Sequence, residues 1–244
     1  MITTGRIGKA SDAPRPGTSA RGLATPGVRL WWRWVAANGA GELLGLGATG
    51  AVMALAMSRL ESVPGVAGVL LSLLLAAGAG TFEATLVGLA QWWAMHPWFP
   101  GITRVAWWLA TLAGALVAYV LGFLPSTLLS LSAETSQAPV AEPPQWAVLL
   151  FAAGLGAVAG AVLSFAQWLV LRGRVRHAGW WIPANMLAWL IGMPIIFWAI
   201  DAAQRIGSPW QAVLLVAGCL LLTGVIVSAI HGAFLVWLAS AHKT

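Results

Sequence analysis

Six long apolar runs alternate with short polar connections along this chain. By hydropathy the runs cover residues 35–57, 66–95, 105–131, 146–171, 179–200 and 210–240. Each is long enough to cross a bilayer as a helix, which takes roughly 20 residues. The runs are continuous rather than alternating with period two, so they predict helices and not barrel strands. Connections fall at 58–65, 96–104, 132–145, 172–178 and 201–209. The expectation is an all-α polytopic membrane protein in which residues 29–244 form one six-helix transmembrane domain. Ahead of it, residues 1–28 are rich in Gly, Pro, Ser, Thr and Arg, and are expected to be a disordered basic tail. An Ala-Leu-Ala near Met57 imitates a signal-peptide cleavage site. The preceding run is too long for a signal peptide and carries Asn38 and Glu42, so it reads as an uncleaved first span.

Composition agrees with this class. Charged residues make up 8% of the 244 and hydrophobic ones 59%, against about 25% charged in a soluble domain. Too few charges are present to cover a water-facing surface. The net charge of +6 does not indicate a nucleic-acid partner, because the basic residues sit in the tail and at helix ends. With the N-terminus placed in the cytoplasm, eleven Lys or Arg fall inside and only Arg59 and Arg205 outside. That asymmetry puts both termini on the cytoplasmic side. Trp31, Trp32, Trp34, Trp92, Trp93, Trp98, Trp107, Trp108, Trp168, Trp180, Trp181 and Trp237 gather near the same face, where most read as interfacial anchors. Trp189, a few turns inside the fifth run, is the one candidate for an aromatic cage. Cys219 is the only cysteine, which excludes a disulfide framework within one chain.

The runs are related to one another. Trp34, Trp108 and Trp181 open the first, third and fifth runs at spacings of 74 and 73 residues. Trp34-Val-Ala-Ala-Asn38 matches Trp181-Ile-Pro-Ala-Asn185, and Gly45 and Gly192 each follow their Asn by seven. In the other three runs, Ala84-Gly88-Gln91 aligns with Gly160-Ser164-Gln167 and Gly224-Ser228-His231. Each is small, small four residues later and polar three after that, on one helix face. The order reads as three two-helix repeats in permuted form, the first and last runs together completing the third. A ring about a pseudo-threefold axis and a linear row both fit, and closure of the last helix on the first favours the ring. At Gln167–Trp181 the sequence QWLVLRGRVRHAGWW resembles a group of uncharacterised bacterial multi-spanning proteins with repeated QWLVLR…AGWW hairpins. The resemblance implies a bacterial inner membrane and brings no activity.

Candidate chemistry is sparse. Glu42 and Glu83 break the repeat, each eight residues from a cytoplasmic landmark, Trp34 or Gln91. That places both about 12 Å inside the interface. Intramembrane acids are costly, and they mark ion or proton pathways or else act as hydrogen-bonded structural groups. Asn38, Glu42, Gly45 and Thr49 form one stripe on the first span. His231 replaces the glutamine of its sister runs and suits ligation of a metal or pigment, a proton relay or a packing role. Gln91, Gln167, Asn38 and Asn185 suit hydrogen bonds between helices, and stand second as ligand-binding candidates. Arg172, Arg174 and Arg176 form a cluster for lipid headgroups. No sequence motif of a metal site or hydrolase is found, and the sequence leaves any cofactor unknown.

Two functions remain open. One is binding or transport of a small solute, proton or lipid inside the bundle, which a polar cavity reaching Glu42 favours. The other is a non-catalytic accessory or scaffold subunit packed against other membrane proteins, which a closed axis with a groove towards lipid favours. The topology is testable by itself. With Cys219 replaced, a cysteine at Ser132 is expected to react with a membrane-impermeant thiol reagent in intact cells, and one at Thr244 is not. Equal labelling of the two contradicts six spans with both termini inside.

Overall fold

The computed structural model describes residues 27–60, 63, 65–135 and 143–241. The expected basic tail, apart from its last two residues, and half of the 132–145 connection lie outside the described residues. Six helices follow in order: α1 (Val28–Leu60), α2 (Gly65–Met95), α3 (Arg104–Thr135), α4 (Gln145–Leu171), α5 (Trp181–Gln204) and α6 (Pro209–Ala241). A single tight turn of helix, Ala178–Trp180, leads into α5. All six are long and apolar enough to cross a membrane, as a multi-pass membrane protein requires.

Five helices begin and end close to their hydropathy runs. The start of α1 is the exception, about two turns earlier than the hydropathy edge, because Leu30 and Trp34 are fully buried and hold Val-Arg-Leu-Trp-Trp-Arg-Trp in the helix. Arg29 and Arg33 lower the local hydropathy there without interrupting helical packing.

Each helix packs against its neighbours in sequence, and α6 packs back against α1, so the bundle closes as a ring. Its polarity is the reverse of a water-soluble core. Asn38, Glu42, Gln91, Gln167, Asn185 and His231 are buried, while Leu44, Leu74, Phe82, Leu150 and Leu214 face outward. Apolar residues outside and polar ones inside suit a surrounding of hydrocarbon.

Glycine lets the helices approach. A Cβ on Gly160 of α4 would stand 2.6 Å from the Asn185 carbonyl oxygen of α5. One on Gly114 of α3 would stand 2.8 Å from Leu163 Cα of α4. Gly45 meets Glu83 between α1 and α2, Gly88 meets Thr111 between α2 and α3, Gly192 meets Val227 between α5 and α6, and Gly224 meets Glu42 between α6 and α1. Every joint of the ring therefore contains a glycine in close contact with the neighbouring helix, the small-residue packing used where hydrocarbon surrounds the helices.

Packing is uneven along the axis. The largest fully buried side chains, including Trp34, Trp107, Trp181, Leu30, Met95 and Leu171, lie at the end where α1 starts, α6 finishes and the α2–α3 and α4–α5 turns sit. Trp98, Phe99 and Ile102 of the α2–α3 turn and Val175 of the α4–α5 turn fold onto this cluster. This is the Trp end of the bundle.

Gly160→Ala forces a backbone contact apart, and the expected outcome is a loss of about 1–3 kcal/mol, the usual range for overpacking, read as a lower melting temperature in detergent. Gly154→Ala meets nothing within 4 Å and is expected to melt at or slightly above the parent, since Ala is the better helix former. Equal melting of the two variants contradicts close α4–α5 packing at Gly160.

Candidate functional site

Two polar layers lie inside the ring. The first is at the Trp end, where three indoles from alternate helices point inward. Trp34 Nε1 donates to His231 Nδ1 at 2.7 Å, Trp107 Nε1 to Gln91 Oε1 at 3.1 Å and Trp181 Nε1 to Gln167 Oε1 at 2.8 Å. Each bond joins an odd-numbered helix to an even-numbered one. The ring centres of Trp34 and Trp181 are 5.8 Å apart, those of Trp107 and Trp181 6.2 Å, and His231 lies 5.5 Å from Trp34 and 5.7 Å from Trp181.

The amides then carry the bonding across the ring. Gln167 Nε2 donates to Gln91 Oε1 at 3.1 Å and to Thr111 Oγ1 at 3.0 Å. Gln91 Nε2 donates to Asn38 Oδ1 at 2.8 Å. One turn beyond each tryptophan a polar side chain donates to its carbonyl: Asn38 to Trp34, Thr111 to Trp107 and Asn185 to Trp181. The five sequence candidates Asn38, Gln91, Gln167, Asn185 and His231 thus meet in one layer, in contacts that draw on all six helices. Because His231 Nδ1 accepts the Trp34 indole, the ring is neutral and carries its proton on Nε2.

Two expectations change here. Trp34, Trp107 and Trp181 are wholly buried rather than interfacial anchors. The buried indole of α3 is Trp107, whereas its neighbour Trp108 is only partly buried and donates to Thr85 Oγ1 at 3.2 Å. In a Trp-Trp pair on a helix the two rings point about 100° apart, and spacing alone does not choose between them. Trp189 is half-buried, and its backbone lines the contact with Gly156.

The second layer lies about two turns deeper. Glu42 of α1 is buried with Gly224 of α6 against its Cβ, and Glu83 of α2 rests on Gly45 of α1. The two acids are within electrostatic reach of each other. Glu83 Oε2 accepts a short hydrogen bond from the hydroxyl of Tyr119 on α3. That hydroxyl has the Thr49 hydroxyl of α1 as a second hydrogen-bonding neighbour, and Thr49 itself donates to Ala79 O at 3.1 Å. Glu42 Oε2, although buried, has no hydrogen-bond partner. On α6 the residue before Gly224 is Thr223, whose buried hydroxyl also lacks one.

The sequence paired Glu42 with Glu83 and missed Tyr119, Thr111 and Thr223. Tyr119 is the only tyrosine in the chain, and that rarity was the signal available for it. His231 belongs to the Trp layer and not to the acids. Arg172, Arg174 and Arg176 are exposed on the α4–α5 turn, Arg172 over the Trp168 ring and Arg174 donating to Val170 O. Among the described residues, no group of three or more His, Cys, Asp or Glu side chains could hold a metal ion.

Two surface depressions accompany these layers. One of about 410 Å³ lies beside His177, Gly179, Trp180 and Pro183, and one of about 330 Å³ runs between α1 and α2. Neither is lined by Glu42, Glu83 or His231. Comparison with known proteins adds no relative: no family model, curated protein or solved structure matches the chain.

Proposed function

We propose that this is an inner-membrane protein that holds a proton or a small hard cation between Glu42 and Glu83. The Trp end faces the cytoplasm and closes the bundle there, so the charge enters from the opposite side. The observation that carries this reading is the buried Glu42 Oε2 without a partner, beside a second acid. A buried polar atom left unpaired costs about 1–3 kcal/mol, more when charged, and a proton or bound cation removes that cost. Two acids in a low dielectric resist ionising together and suit a shared positive charge. The oxygens of Glu42, Glu83, Tyr119 and Thr49 are the donor type hard cations prefer.

The bundle is three permuted two-helix repeats about a pseudo-threefold axis. Support comes from the three indole bonds, whose tryptophans stand 73 and 74 residues apart, and from the carbonyl-directed side chain one turn beyond each. The first and last helices complete one repeat through Trp34 and His231. The acids occur in only one third of the ring, which suits a site that departed from an originally symmetric scaffold.

A non-catalytic accessory subunit is the second reading. It is favoured by the filled axis at the Trp end and by the groove between α1 and α2, both of which suit a protein packed among others.

Infrared titration of the purified full chain separates the readings. The parent is expected to show a protonated-carboxyl band that Glu42→Gln removes or shifts, with the melting temperature retained. A band that sodium displaces at constant pH assigns the site to a cation, and one indifferent to sodium assigns it to a proton. A spectrum unchanged by Glu42→Gln and Glu83→Gln, with no effect of sodium on melting, overturns the charge-binding function.

A further inference from the structure

The groove between α1 and α2 points to a binding site for one anionic phospholipid, and we propose it as such. Ala37, Gly41 and Leu44 on α1 face Leu86, Ala90 and Trp93 on α2 along it. Both sets follow a four-then-three spacing, so each is one straight stripe on its helix. The groove is apolar along its length and lies on the outside of the ring.

Its polar end is cationic. Arg33, one turn before Ala37, donates through Nη2 to Trp93 O at 2.7 Å, and its guanidinium carbon lies 4.2 Å from the Trp93 ring centre and 5.8 Å from that of Trp98. Arg29, one turn earlier still, adds a second positive charge that Arg33 senses. The one ion pair among the described residues is Arg205 with Asp201, so no described acid neutralises Arg33.

One donor of this guanidinium and one indole beside it lack acceptors. Arg33 Nε and Trp98 Nε1 are both buried without a hydrogen-bond partner. Missing acceptors next to unpaired cations call for an anion with several oxygens, and a phosphate diester meets that need. Both atoms are closed to water in this conformation, so a rotation of the Arg33 side chain accompanies binding. An acyl chain then lies along the alanine and glycine stripe, while the phosphate sits at Arg33 and Arg29. A free phosphate ion would satisfy the donors but leave the groove uncovered, which is why a lipid is the occupant.

The site is distinct from the Arg172, Arg174 and Arg176 cluster, which sits on the α4–α5 turn near the depression at His177 and Trp180. It is also independent of the acid pair inside the ring.

Native mass spectrometry of the full chain, titrated with phosphatidylglycerol and with phosphatidylcholine, tests this. Preferential retention of phosphatidylglycerol is expected, weakened about fivefold by Arg33→Gln, the effect of losing one basic contact at a membrane surface. Ala40→Phe, which fills the groove from an exposed position, is expected to weaken it by at least as much while leaving the melting temperature unchanged. Equal binding of the two lipids, protection by inorganic phosphate alone, or loss of binding in Arg172→Gln but not in Arg33→Gln overturns the proposal.

Discussion

A buried indole N–H or side-chain amide must find a partner where water is missing, and this requirement shapes the Trp end of the bundle. Each unpaired group there would cost about 1–3 kcal/mol. The three indoles therefore bind Gln91, Gln167 and His231, and the two glutamines bind onward to Asn38 and Thr111. Hydrocarbon gives helices no hydrophobic reason to associate, so packing and such bonds must hold them. Glycine supplies the packing. At Gly160 and Gly224 a side chain would touch a neighbouring backbone or Glu42, and only its absence brings the polar groups within reach. Close approach and polar bonding are thus one device.

The contrast between the two layers is informative. At the Trp end donors and acceptors interlock over short distances, and the large rings fill the space between them. Two turns deeper, Glu83 has Tyr119 while Glu42 Oε2 and Thr223 Oγ1 have nothing. The three indoles inside the ring and their amide partners are paired, whereas a carboxyl oxygen two turns away is left open, and the proposed charge site rests on that contrast. Outside the ring, Arg33 Nε and Trp98 Nε1 are likewise buried donors without an acceptor, and the proposed lipid site rests on them.

Much of the architecture was legible in the sequence because helix length and hydropathy are set by the medium. Five of six helices begin where the apolar runs begin, and the match of Gly160-Ser164-Gln167 with Gly224-Ser228-His231 picked out residues that are buried. What sequence could not settle was direction. In a span that is apolar on all sides, periodicity does not say which face is inside. Trp34 and Trp181 therefore read as anchors although they are fully buried, and Trp108 was taken in place of Trp107. Arg29 and Arg33 hid the first two turns of α1. Thr111 went unnoticed because alignment on Trp108 in place of Trp107 hid its match with Asn38 and Asn185, and Tyr119 because its role depends on the Glu83 that α2 brings to it.

The indole-to-amide bond between α5 and α4 is the most direct place to test whether this layer holds the ring together. Unfolding free energies in detergent for Trp181→Phe, Gln167→Leu and the double variant form a thermodynamic cycle. A coupling of about 1 kcal/mol is expected, within the range measured for hydrogen bonds between helices in membranes. Strictly additive losses would contradict it, leaving Trp181 and Gln167 as packing residues with no bond of consequence between them.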